Sequence, residues 1–209
     1  GQETIYEAAQ EFYSGAGIHF GSKIAFDGKG HLFFSVGERG TNMRAQDPKT
    51  PFGKVMRVNE DGSIPADNPW PGSPVWSFGH RNPQGLAFDA KGGLWDTEHG
   101  PRGGDEVNRI EKGANYGWPV VAWSINYNDT PFQTPWPKDD LKVSQPIFRW
   151  LPSIGASGLD LVEGSAFPKW NGDLLAGGLS GNNVDRFRIV DGKLVEREEL
   201  LQGMGRVRD

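Results

Sequence analysis

Between Trp76 and Pro119 the chain packs polar and glycine residues between apolar pairs, a composition suited to a site made of loops. Gly79, His80, Arg81, Asn82 and Pro83 follow a Trp-Ser-Phe segment, and Glu98, His99, Gly100 and Pro101 follow Leu94-Trp95, so two polar loops hang from the ends of predicted strands. An arginine such as Arg81 commonly pairs with a surface carboxylate, but at a strand end it can also place positive charge on a reacting oxygen. His80 and His99 raise the question of zinc; two histidines on separate loops, with no cysteine in the chain, fall short of a zinc ligand set. Gly103, Gly104, Asp105 and Glu106 form an acidic turn whose spacing is not that of an EF-hand loop. Outside this stretch, His19 sits among Gly17, Ile18, Phe20 and Gly21. A histidine in apolar company is more often packed than catalytic, although imidazole is the side chain best placed to act as a base near neutral pH. Glu38 reads locally as a solvated turn residue. Arg206 and Arg208 alternate with Val207, so on a strand both would point to one face, and guanidinium forks there would suit a polycarboxylate.

The elements that must hold these residues are short strands. Glycine supplies 30 of 209 residues and proline 15, which favours tight turns, while eight Trp, twelve Phe and four Tyr provide the aromatic mass for a core and argue against disorder. A net charge of −5 without a long basic run offers no footprint for nucleic acid, and no apolar stretch approaches the ~20 residues of a membrane helix. Residues 2–13 predict no more than a strand edge or a short helix.

The clearest unit runs from Ile24 to Gly37, where an apolar run meets Asp27-Gly28-Lys29-Gly30 and then a longer apolar run, the signature of a β-hairpin. It recurs from Leu86 to Trp95, with Phe26 and Phe88, Asp27 and Asp89, Lys29 and Lys91, and Leu32 and Leu94 in step. A looser third copy spans Ser165 to Ala176. A further apolar stretch follows each hairpin, at Lys54 to Asn59, Glu106 to Ile110 and Val184 to Val190. Small antiparallel sheets that cannot bury both faces alone predict an all-β fold, a β-propeller. An ordinary β-sandwich with coincidental turns is the alternative. Asp61 to Pro74 and Asn126 to Asp140 are the candidate insertions. Three hairpins account for about three to four blades, so residues 1–209 are expected to form a single partial propeller domain with strands or blades missing at both ends.

The ordered motifs HFGSKIAFDGKGHLFFSVGE, GKVMRVNEDGSIPADNPW, GHRNPQGLAF, EHGPRGGDEVN and GANYGWP resemble the soluble pyrroloquinoline-quinone (PQQ)-dependent sugar dehydrogenases, in particular the aldose sugar dehydrogenases of the glucose/sorbosone dehydrogenase family. The resemblance runs from about Ile18 to Asp209. It implies a six-bladed propeller and oxidation of the C1 hydroxyl of an aldose to the lactone, with PQQ and Ca²⁺ as cofactors and an external electron acceptor. A periplasmic or secreted monomer or homodimer is implied as well. By the same resemblance His19 is the general base, Glu38 the carboxylate that holds it, and Arg81 and Asn82 contact the cofactor, the arginine near its reactive carbonyl. Arg206 and Arg208 match an Arg-x-Arg that clamps the cofactor. Gly100 and Pro101 match carbonyl donors to the catalytic calcium, while Glu106 and Tyr116 match positions at a second, structural one. Ser180 stands where the family commonly has a cofactor-binding lysine; a serine keeps a hydrogen bond but gives up the charge. A propeller that binds without turnover is the alternative to the enzyme, because the fold alone does not choose a function.

Overall fold

The computed structural model describes residues 1, 3–131 and 141–209. The hairpins form where the turn chemistry requires them. Asp27 Oδ1 accepts the backbone N–H groups of Lys29 (2.8 Å) and His31 (3.1 Å), so its side chain closes the turn between β1 (Gly21–Phe26) and β2 (His31–Val36). Asp89 does the same between β5 (Pro83–Phe88) and β6 (Leu94–Glu98), taking the N–H groups of Lys91 and Gly93 at 2.8 Å each. A short polar side chain that imitates a backbone turn is the physical content of the repeated aspartate.

Each hairpin extends into a four-stranded antiparallel sheet whose strands neighbour one another in chain order. The first sheet adds β3 (Lys54–Asn59) and β4 (Val75–Phe78), and the second adds β7 (Asp105–Ile110) and β8 (Phe148–Trp150). The third consists of β9 (Ala156–Leu161), β10 (Leu174–Gly178), β11 (Asn183–Val190) and β12 (Lys193–Leu200). Three sheets among the described residues agree with the blade count expected from the sequence. Central strands are buried on both faces: every residue of β6 is buried, and all of β3 but Asn59. In contrast, β1 alternates, and its outer face shows Ile24 and Phe26 at 54% and 61% exposure, apolar surface of the kind a neighbouring blade covers in a propeller.

The third hairpin departs from the sequence reading. Ser165, Ala166 and Phe167 are not its first strand; that role falls to β9, and residues 162–173 form a long connection in which the rings of Phe167 and Trp170 stack at 5.0 Å. The copy lacks the turn aspartate, so nothing closes a tight loop there. Residues Gln10–Phe12 make a single 3₁₀ turn. Asp61 to Pro74 is a turn-rich insertion pinned by Asn68, whose amide donates to the carbonyls of Arg57 (3.0 Å) and Ser73 (2.9 Å). Of the second insertion, 132–140 lie outside the described residues.

The chain divides into two compact units. One holds the first sheet, with residues 1–82, 111–121 and 141–144; the other holds the second and third sheets, with residues 83–110, 122–131 and 145–209. The core of the second unit is built from Trp95, Val107, Trp150, Leu159, Leu174 and Phe187. Its two sheets meet where β5 lies against β9, and Gly85 permits the approach: a Cβ added there would sit 2.7 Å from the Leu159 nitrogen. Gly85→Ala is therefore expected to cost about 1–3 kcal/mol through overpacking. Urea midpoints of variant and wild type measure this, and a difference below about 0.5 kcal/mol would show that the sheets can separate without strain.

Candidate active site

The first unit builds its site around one buried carboxylate. Glu38, two residues past the end of β2, has no exposed surface. Its Oε1 meets His19 Nδ1, its Oε2 accepts the Asn42 N–H at 2.7 Å, and its own N–H donates to the Arg81 carbonyl at 2.8 Å. Burial pushes this carboxyl upward, but the hydrogen bond and charge of His19, with the N–H groups of Gly40 and Asn42, outweigh it and hold Glu38 below the usual glutamate range. An ionised carboxylate at Nδ1 fixes the imidazole tautomer with its proton on Nδ1. That leaves Nε2 as the basic nitrogen, on a ring that is 18% exposed.

His19 adopts φ +51° just before β1, where the chain turns in towards Glu38. Gly37 makes room for it: a side chain at this position would press on the His19 carbonyl and lie 3.1 Å from Asn82 Oδ1. Asn82 Oδ1 in turn accepts the Gly21 N–H at 3.2 Å, so the loop after β4 is tied to the start of β1. Arg81 is buried, with its guanidinium carbon 5.2 Å from the centre of the Trp118 ring. The structure thus brings His19, Glu38, Arg81 and Asn82 together in one unit.

Several supports of this group were not read as such from the sequence, which raised His80 only for zinc and Tyr116 only, by resemblance, for calcium. The His80 ring is fully buried, stacks on Tyr116 at 4.6 Å and lies 2.8 Å from Ser77 Oγ. Gln46 and Asn115 exchange amide hydrogen bonds of 3.0 and 2.8 Å across 69 residues, and Gln46 also reaches the Trp118 carbonyl at 2.7 Å. Tyr116, also of this unit, accepts the Glu111 N–H at its hydroxyl, 2.9 Å away. The sequence signalled none of these roles; Asn115 and Trp118 entered there only as part of the motif GANYGWP.

In the second unit the Gly100-Pro101 loop is stapled by Asp105. One carboxylate oxygen accepts the Gly100 N–H (2.9 Å) and the other the Ala156 N–H (2.8 Å). Glu106 is buried on β7 and pairs across the sheet with Glu98 of β6, and Asn108 Nδ2 lies 3.3 Å from Glu106 Oε2 and 3.4 Å from Glu98 Oε1. Burial first, and then the Glu98 charge, push the carboxyls of Glu106 and Asp96 well above their ordinary range. Such a cluster retains a proton or attracts a cation.

Arg206 and Arg208 are exposed on either side of half-buried Val207. The strand expected there does not form. The tail is extended, but its bonds are divided between Gly158 N–H to the Arg208 carbonyl (2.8 Å), Ser157 Oγ to the Val207 carbonyl (2.7 Å) and Val207 N–H to the Gly178 carbonyl (3.3 Å), so no continuous ladder exists. Ser180, two residues beyond β10, is exposed and donates its backbone N–H to the Ile154 carbonyl at 2.7 Å. The backbone of the tail thus passes the C-terminal end of β10 at Gly178, two residues before Ser180.

Four-stranded antiparallel blades joined by site-bearing loops define a β-propeller whose polar loops carry a histidine–carboxylate pair. The sequence profile of the Glucose / Sorbosone dehydrogenase family matches residues 1–209, and the chain belongs to that family. It is 40% identical over 202 residues to the aldose sugar dehydrogenase YliI of Escherichia coli (strain K12), covering 92% of this chain and 54% of the relative. A crystal structure of glucose dehydrogenase superposes with a TM-score of 0.90 at 40% identity, over 99% of this chain and 61% of the other. The PQQ-bound aldose sugar dehydrogenase of Streptomyces coelicolor gives 0.74 at 33% identity, over 91% and 52%. The chain spans about half the length of the curated relatives it matches.

Because Glu38 is held below its ordinary value, the ionised form stabilises the fold above the unfolded-state value near pH 4.5, and this contribution is lost as pH falls through the lower native value. Glu38→Gln is expected to be about 1–3 kcal/mol less stable at pH 7, with the gap to wild type closing in acid. Urea midpoints at pH 7, 5 and 3 test this. A gap of equal size at every pH would contradict the assignment.

Proposed function

We propose that the complete protein is a quinone-dependent dehydrogenase that oxidises the C1 hydroxyl of an aldose to the lactone. The observation that carries this reading is the His19–Glu38 pair, whose geometry leaves Nε2 as an oriented base. His19 takes the hydroxyl proton at Nε2, and the buried Glu38 carboxylate stabilises the imidazolium that results. As the C1–O bond gains double-bond character, hydrogen leaves C1 as hydride. PQQ supplies the hydride acceptor when bound, and an external acceptor later removes the electrons.

The residues fit such a cofactor by their chemistry. Arg81, held over Trp118, offers fixed positive charge for an oxygen that becomes anionic, and Asn82 supplies a side-chain amide beside it. Arg206 and Arg208 offer two guanidinium groups suited to carboxylates, and Ser180 offers a hydroxyl rather than an ammonium. Gly100 and Pro101 would hold Ca²⁺ through carbonyl oxygens, the hard donors that this cation prefers, on a loop that Asp105 already fixes. Glu106, with its neighbouring carboxyls, and Tyr116 are the proposed residues of a second, structural calcium. The family resemblance supports a periplasmic or secreted setting and a monomer or homodimer. No helix among the described residues is long and apolar enough to cross a membrane. The serine at 180 favours a second reading, a propeller that binds without turnover.

In the full-length protein reconstituted with PQQ and Ca²⁺, aldose-dependent dye reduction should fall about 10²-fold or more in His19→Ala. A rate within about twofold of wild type would remove His19 from the base role. Chelation of calcium should abolish the activity and its readdition restore it; turnover that survives chelation would reject the metal.

A further inference from the structure

Lys54 has no exposed surface and faces no carboxylate within hydrogen-bond reach among the described residues. Its ammonium instead donates to three backbone carbonyls: Arg44 at 3.2 Å, Ala45 at 3.0 Å and Phe52. Three N–H donors thus meet three acceptors, a match that a neutral amine, with two N–H groups, cannot make. Burial nevertheless pushes the group down to about 7, with Asp47 pulling the other way. An ion held at that cost by carbonyls alone asks what those carbonyls belong to.

Arg44 and Ala45 lie in the 3₁₀ turn Asn42–Gln46, whose first N–H is the donor to Glu38 Oε2. The Ala45 carbonyl also accepts the Gly79 N–H at 2.9 Å, at the root of the loop that carries Arg81 and Asn82. In the strand register Lys54 stands between Val36 of β2 and Phe78 of β4, the last residues before the Glu38 and Arg81 loops. One side chain therefore grips the turn on which both halves of the site rest.

We infer that Lys54 is a positioning residue, whose ammonium clamps the 42–46 turn so that Asn42 orients the Glu38–His19 pair while Ala45 registers the Arg81 loop. The inference rests on the reading of His19 as the base, and its test includes a measurement that needs no turnover. In the full-length protein without PQQ or calcium, NMR follows solvent exchange of the His19 Nδ1–H and the Asn42 N–H. Lys54→Met, close in length but without donors, should speed both exchanges about tenfold or more, as local opening becomes easier. Lys54→Gln, which keeps two N–H donors, should give a smaller effect. In the reconstituted protein Lys54→Met should lower kcat about tenfold or more, with KM for the sugar within about threefold, because the base rather than sugar binding is disturbed.

A folded Lys54→Met protein with both exchange rates and kcat within twofold of wild type would overturn the inference. If Lys54→Met fails to fold, Lys54→Gln decides: partial acceleration supports the clamp and unchanged exchange rejects it. If neither folds, the lysine serves the fold rather than the site, and the inference fails. Faster exchange without any sugar-dependent turnover in wild type would leave the clamp standing and reject the proposed reaction instead.

Discussion

A carboxylate with no access to water must find its hydrogen bonds inside the protein, and Glu38 finds them in three directions. Its oxygens take His19 and the Asn42 N–H, and its backbone N–H reaches the Arg81 carbonyl. An unpaired buried charge would cost several kcal/mol, so these bonds bind the segment before β1, the turn after β2 and the loop after β4 into one arrangement. The base is oriented because the acid is buried. Lys54 is the counterpart, a buried cation satisfied by carbonyls of the same turn, and the two charges fix opposite ends of a short stretch of chain.

The second unit uses the same physics to stiffen its sheets. Asp185 is fully buried near the start of β11 and is taken up by the Trp150 indole (2.5 Å) and by Nε and Nη2 of Arg197, at 2.8–3.0 Å. Arg186 on the same strand is held by Asp173, Glu196 and Glu198. Asp105 performs the task at the site itself: its two oxygens join the Gly100 loop to the first residue of β9. A loop whose Gly100 N–H is held by a buried carboxylate that is itself anchored to β9 can present its carbonyls without paying much ordering entropy on binding. The raised carboxyls of Asp96 and Glu106 mark the opposite case, acids crowded by burial and by Glu98.

Local chemistry made much of this legible. The hairpins at Asp27 and Asp89 follow from an aspartate that caps its own turn between apolar runs, and both formed as read. The third copy failed for the same reason in reverse: with Pro168 in place of the aspartate, the strand partner of β10 was not the adjacent apolar run but β9, a dozen residues upstream. The arginine tail looked like a strand because its residues alternate. Alternation sets which side chains face out, and it did so, but a strand also needs a partner with continuous free bonds, which Gly158, Ser157 and Gly178 provide only in pieces.

The sequence by itself determined the all-β class, the turn-closing aspartates and the family, because these depend on residues close together in the chain or on ordered motifs. It also supplied His19, Glu38, Arg81 and Asn82 as candidates through resemblance. Only the tertiary structure decided that Glu38 bonds both His19 and the Arg81 carbonyl, that Asn82 ties the same loop to Gly21, that Trp118 lies against Arg81, and that Lys54 underlies both loops. Those facts rest on contacts between residues up to 61 positions apart. No local pattern encodes such bonds; they arise when burial removes water and leaves each charge only the partners that folding has brought within reach.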